Sequence, residues 1–151
     1  MDLQQLLEGR YIATLATVNA DGSIHLTAVW FLHRDGAVYV GTSGRSRKVR
    51  NAEGRPRGAV MIDVRGVLLR GAAATGSLTV LRGGQARELN DAIARKYLSD
   101  EGLAHPEVGA AIRASDDVTI RLDPDGWRTW STADDFGGVY ELPGISLPLE
   151  V

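Results

Sequence analysis

Apolar and polar positions alternate with a period of two through "YIATLATV" and again through "SIHLTAVWFLH", and the "NADG" between them is a tight-turn signal. The pattern predicts two antiparallel strands. On the second, Ile24, Leu26, Ala28, Trp30 and Leu32 share one face, and His25, Thr27, Val29, Phe31 and His33 share the other. A further turn, "HRDG", leads into "AVYVGT", so the first three strands read as a meander. "RGAVMIDV" and "LLRGAAATGSLTVL" continue the pattern, the latter interrupted by glycines that suit a bulge or a barrel corner.

The period becomes helical in "QARELNDAIARKYLSDEG", where Leu89, Ile93 and Tyr97 form one stripe beside Ala86 and Ala92. A shorter helix is expected near the start, capped by Asp2 and ended by a left-handed Gly9, and another begins at Pro106 and runs through Ile112. "DVTIRL", the turn "DPDG" and "WRTWST" read as a final hairpin. Six or seven strands with an inserted helical stretch predict a mainly β, closed or nearly closed antiparallel barrel with a few short helices, because closure removes exposed strand edges. Residues 1–132 form this domain; 133–151, rich in Gly and Pro and without period, read as an irregular C-terminal arm.

Length and charge narrow the function classes. The chain has 151 residues, room for one domain with a real core, and a formal net charge of -2, which argues against nucleic acid or anionic membrane as a partner. There is no cysteine, hence no disulfide, thiolate nucleophile or cysteine-held metal. The first residues lack a basic stretch followed by an apolar one, and no apolar run approaches the length of a membrane span, so a soluble, unprocessed, cytoplasmic protein is expected.

Against that acidic balance, "GTSGRSRKVRNAEGRPRG" (41–58) sets Arg45, Arg47, Lys48, Arg50, Arg55 and Arg57 against one acid, Glu53. The segment leaves a strand and enters a helical turn near Arg47. Backbone N–H groups at a helix start, the hydroxyls of Thr42, Ser43 and Ser46, and the guanidiniums of Arg47 and Arg50 are together suited to a phosphate. Spacing alone also allows a solvated basic turn.

The motifs "ATLATV", "DG", "VWF", "VYVGTS" and "SRKVRN", in this order, resemble those of the pyridoxamine 5′-phosphate oxidase-like split-barrel family, most closely its branch that uses the deazaflavin coenzyme F420. The resemblance covers residues 5–80 well, is looser over the helical stretch and the last strands, and stops at the arm. It implies a split barrel, a homodimer with sites between the subunits, and hydride transfer from reduced F420 to an unsaturated or conjugated small molecule. On this resemblance the cofactor phosphate meets Ser46, Arg47, Lys48, Arg50 and Asn51, and the ring lies near Gly41, Thr42 and Ser43 and along Val60, Met61 and Ile62. Leu68, Leu69 and Arg70 approach from the neighbouring strand or the other subunit, and the substrate sits beside His25, Ala28 and Trp30. Ala28 stands where the family's motif has proline. FMN with oxygen chemistry is the near alternative, and a non-catalytic flavin, deazaflavin or tetrapyrrole carrier is the alternative from another class. The long basic strip favours F420, which carries a phosphodiester and a carboxylate-rich tail.

The remaining candidates add little. His25, His33 and His105 fit no metal-ligand spacing; His25, on the strand expected to line the site, is the candidate proton donor. Trp127 and Trp130 suit packing more than ligand stacking, and no "GxSxG" elbow occurs.

Overall fold

The computed structural model describes residues 2–115, 117–132 and 137–150 and is mainly antiparallel β. Hydrogen bonds connect β2 (Ile24–Val29), β1 (Ala13–Val18), β5 (Arg57–Val64), β6 (Arg70–Leu81), β7 (Val118–Pro124), β4 (Ala37–Thr42) and β3 (Leu32–Arg34) in that order, and β8 (Arg128–Ser131) adds to β6. The sheet curls into a split barrel with, among the described residues, five short α-helices around it.

Two connections differ from expectation. The first strands do not form a meander: "SIHLTAVWFLH" breaks at Trp30 and Phe31, and β2 and β3 lie at opposite ends of the hydrogen-bonded path. Phe31 is fully buried at this crossing, which anchors the chain as it changes partners. Nor do the last two strands form a hairpin. β7 runs between β6 and β4, whereas β8 pairs with the other end of β6, Arg70↔Ser131 through Ala73↔Arg128. Twelve-residue β6 is long enough to serve both partners, and at Gly76 its backbone comes so close to β7 that a Cβ there would stand 2.1 Å from the Asp123 carbonyl oxygen.

The inner face of the sheet holds the main core, with Leu15, Val60, Ile62, Ile120 and Leu122 nearly or fully excluded from solvent. Helix α1 (Leu3–Glu8) closes one end with Leu7, and its start carries the full capping box, Asp2 accepting from the Gln5 N–H at 2.9 Å and the Gln5 side chain accepting from the Asp2 N–H at 2.8 Å. Gly9 ends α1 with extended backbone, not a left-handed one; glycine is required there for space, since a Cβ would meet the Tyr11 ring at 2.2 Å. Helix α3 (Gly83–Tyr97) packs Leu89 and Ile93 on Ala37 and Tyr39 of β4, so that β4 is covered on both faces. Each such fully buried side chain stabilises the fold by about 1.5–3 kcal/mol.

The more apolar face of β2 is left outside. Ile24 and Leu26 are 59% and 64% exposed, while Val29 and Phe31, on the opposite face, enter the core. Leu26 stands opposite Ala16, Ala16 opposite Ala59, and Ala59 opposite Thr75, which makes a shallow surface of small side chains bordered by Leu26 and Ile24. The described part of the arm holds a 3-10 segment, Gly137–Glu141, tethered by an Arg70–Glu141 ion pair of 3.7 Å.

Candidate functional site

The basic segment folds as a loop after β4 and then as helix α2 (Arg47–Gly54). Ser46 takes the extended backbone of a helix cap, yet its side chain makes no capping bond; its hydroxyl accepts instead from Thr42, 3.2 Å away. The hydroxyl of Ser43 accepts from the Arg45 N–H, and the Gly44 N–H donates to the Asp117 carboxylate at 2.6 Å. An acid 73 residues away in sequence thus holds the loop that leads into α2.

Three residues of α2 face inward. Val49 and Ala52 join the core, and Asn51, 3% exposed, donates its amide N–H groups to the Thr17 hydroxyl at 3.0 Å and the Asn19 side-chain carbonyl at 2.9 Å. Arg55 completes the link, donating from Nη2 to Asn51 Oδ1 and from Nε to the Val18 carbonyl at 2.6 Å. Helix α2 is therefore fastened to β1 and to the turn that follows it. Of the expected phosphate ligands, Asn51 spends its amide inside the fold.

The other cations divide between two depressions. Lys48 lines a cleft of about 520 Å³ with Ile12, Ala28, Trp30, Gly41, Thr42 and Ile93. Arg47, Arg50 and Arg55 border a second depression of about 470 Å³ with Asn19, Asp21 and Ser23. Arg57 is already paired with Asp125, and Glu53 with Arg82. Arg45, Arg47 and Arg50 form no ion pair among the described residues; the Arg50 guanidinium donates to the Arg45 carbonyl at 2.8 Å. Asp21 is held below the usual carboxylate range, first by hydrogen bonds from Ser23 and in small part by Arg47, so this acid, the only one bordering the depression among the described residues, stays ionised.

Trp30 forms a fixed wall of the first cleft. Its ring stacks on Tyr97 with centroids 5.0 Å apart and planes 7° from parallel, and the Tyr97 hydroxyl donates to the Tyr11 carbonyl at 2.6 Å. Gly41 is a place of close approach, where a Cβ would stand 2.8 Å from Asn90 Oδ1. Asn90 is itself fixed, donating to the Val118 carbonyl and accepting from the Thr119 hydroxyl.

The structure thus brings together Gly41, Thr42, Lys48, Ala28 and Trp30, with Arg47 and Arg50 on the other depression and Ser43 and Ser46 in the loop that leads to α2. Other expected residues lie elsewhere. Val60 and Ile62 turn their side chains into the core; Met61 points to the outer face, opposite Thr14 and Ala73. Leu68 is buried and Leu69 exposed, and Arg70 borders a separate depression with Asp2 and Trp130, so none of the three reaches the α2 clefts within one chain. His25 is the clearest departure. Strand alternation puts it opposite Thr17, on the reverse face from Ala28, and it does not line the cleft. Trp127 packs on the core and Trp130 on Gly71, as packing residues.

Residues that sequence reasoning did not assign to the site are Ile12, Ile93, Tyr97, Asn90 and Asp117. Ile93 and Tyr97 were visible as a helical stripe; nothing in the local sequence marks Asp117. Among the described residues no group of three or more His, Asp or Glu is placed to hold a metal ion, and no helix is long and apolar enough to cross a membrane.

The sequence matches the family model of pyridoxamine 5′-phosphate oxidase over residues 2–131. The chain belongs to the pyridoxamine 5′-phosphate oxidase family. A search of curated proteins finds no match. Among solved structures, a conserved hypothetical protein of Mycobacterium tuberculosis is similar over 98% of this chain and 92% of its own, at 23% identity and a TM-score of 0.73. A protein described as an F420 reductase is similar over 85% of this chain and 97% of its own, at 19% identity and a TM-score of 0.65. The haem storage protein of Vibrio cholerae is similar over 83% of this chain and 90% of its own, at 16% identity and a TM-score of 0.66. At these identities the likeness is one of fold, which is shared by a protein described as a reductase and one described as a haem storage protein.

Proposed function

We propose that the protein is an oxidoreductase that uses coenzyme F420 to reduce an unsaturated or conjugated small molecule. One observation carries the reading: the cations of α2 border two depressions, Lys48 the one and Arg47 and Arg50 the other, which is more than a single phosphate pocket uses. FMN carries one phosphate, whereas F420 carries a phosphodiester followed by several carboxylates, and cations on two depressions complement the second far better. The reduced deazaflavin, when bound, supplies a hydride and little single-electron chemistry.

The residues present fit such a ligand. The Ser46 side chain makes no cap, so it does not occupy the N–H groups of the first α2 turn beside Lys48 and Arg47, an arrangement suited to a phosphate oxygen. Each charge-assisted bond contributes about 1.5–3 kcal/mol. Gly41 and Thr42 form the backbone edge of the cleft, and Ala28 and Trp30 bound the space for a substrate, with Trp30 held in place by Tyr97. Catalysis in such a cleft rests on orientation and exclusion of water. The reading includes a homodimer, in which the exposed surface of Ile24 and Leu26 is covered by a second copy and Leu68, Leu69 and Arg70 complete the partner's site.

The test is a fluorescence titration of the purified protein with F420 and with FMN. F420 is expected to bind at least tenfold tighter, a gap of about 1.4 kcal/mol. Lys48→Ala and Arg50→Ala are expected to weaken F420 binding about ten- to a hundredfold, less so at high salt, while leaving the apo protein's stability nearly unchanged. Equal or tighter binding of FMN overturns the F420 assignment, and haem binding with neither redox cofactor bound makes the protein a carrier.

A further inference from the structure

Away from α2, helices α3, α4 (Asp100–Ala104) and α5 (Pro106–Ser115) enclose a second cleft of about 320 Å³ that the cofactor reading does not use. Its floor is apolar, formed by Ala94, Leu103 and Ile112. The helices that make it are closely packed: a Cβ on Gly109 would stand 2.4 Å from the Leu103 carbonyl oxygen, so only glycine lets α5 settle against α4 at this depth. Arg113 folds back over this contact, its Nη1 3.9 Å from the same Cβ position, which brings a guanidinium to the mouth of the cleft.

Among the described residues, three arginines, Arg87, Arg95 and Arg113, border the cleft with a single acid, Asp91. That acid is taken: Asp91 binds Arg95 at 2.8 Å, and Asp100 adds to the field that keeps Arg95 charged. Asn90 has its amide committed to Val118 and Thr119. Arg87 and Arg113 come from helices far apart in sequence and have no ion pair among the described residues. Both arginines line a cleft with an apolar floor, and the planar fork of a guanidinium matches a carboxylate. A volume near 300 Å³ is at the lower end of small-molecule sites.

We infer that this cleft is a binding site for a small organic carboxylate, its acid group held by Arg87 and Arg113 and its apolar body on Ala94, Leu103 and Ile112. The inference stands apart from the cofactor assignment, since Arg87, Arg113 and the apolar floor line this cleft and not the α2 cleft.

Isothermal titration of the full chain with 2-naphthoate, octanoate and phenylacetate, each against its neutral amide, tests it. At least one acid is expected to bind saturably and at least tenfold more tightly than its amide. The double variant R87Q/R113Q, both positions exposed, is expected to lose at least tenfold, with an unchanged thermal melt as the control on folding. Amide proton shifts on ligand addition are expected at Gly109 and Leu103. Binding by none of the three acids at millimolar concentration overturns the inference, as does equal binding of acid and amide. So does undiminished binding by R87Q/R113Q, or a loss seen instead in the Lys48→Ala, Arg50→Ala protein, which would place the anion at α2.

Discussion

Replacing Asn51 by alanine separates what holds α2 in place from what α2 offers to a ligand. The side chain is almost completely buried and makes three hydrogen bonds, two donated and one accepted. Removing it deprives the Thr17 hydroxyl, itself 1% exposed, of its partner; a buried hydroxyl left without one costs about 1–3 kcal/mol. The half-buried Asn19 recovers much of its loss from water, and Arg55 keeps the Val18 carbonyl. The space left by the amide adds about 1 kcal/mol. The sum is a loss of roughly 2–4 kcal/mol, read as a lower urea midpoint with an unchanged slope. Thr17→Val in the same background should be partly redundant with Asn51→Ala, a coupling of about 1 kcal/mol in a double-mutant cycle. An Asn51→Ala protein as stable as the parent would refute the fastening of α2 through Thr17 and would return Asn51 to the exposed, ligand-facing role that its place in "SRKVRN" suggests.

Three further outcomes are expected. Lys96 has a buried nitrogen with no hydrogen-bond partner, 3.7 Å from the centre of the Phe31 ring; burial, then the nearby Arg10, lowers its pKa to about 8. Since the unfolded chain keeps that proton to about pH 10.5, stability should rise between pH 8 and 10, by about 1–2 kcal/mol after allowing for a partly exposed stem. His33, lowered by its own burial and then by Lys96, has lost its charge well below this window, and Tyr97, raised by burial, keeps its proton through it; Lys96→Met should flatten the rise in urea melts. Gly76→Ala forces a methyl against the Asp123 backbone and should cost about 1–3 kcal/mol or more, whereas a substitution tolerated in a thermal melt would contradict the close crossing of β6 and β7. Leu26→Asp on the exposed surface should turn a micromolar dimer into a monomer in sedimentation, and a parent protein that is itself monomeric rejects the covered surface.

The sequence by itself determined the strands, the helical stretch from its change of period, and the basic segment at a strand-to-helix junction. These follow from local rules: alternation selects extended chain, and glycine, proline and asparagine mark where it turns. Period two divides a strand into two faces but does not say which is core, and here the tertiary structure chose against composition. On β2 the face of Ile24 and Leu26 stays outside, while the face that carries His25 supplies Val29 and Phe31 to the interior. Only the tertiary structure decided that the chain crosses the barrel at Trp30 and Phe31, that β8 pairs with β6, and that Asp117 holds the loop before α2. The same holds for Asn51, which reads from sequence like its basic neighbours and turns inward because Thr17 and Asn19 wait there. Each of these depends on contacts between residues tens of positions apart, whose free energy comes from burying surface and pairing polar groups across the fold, and no local pattern records it.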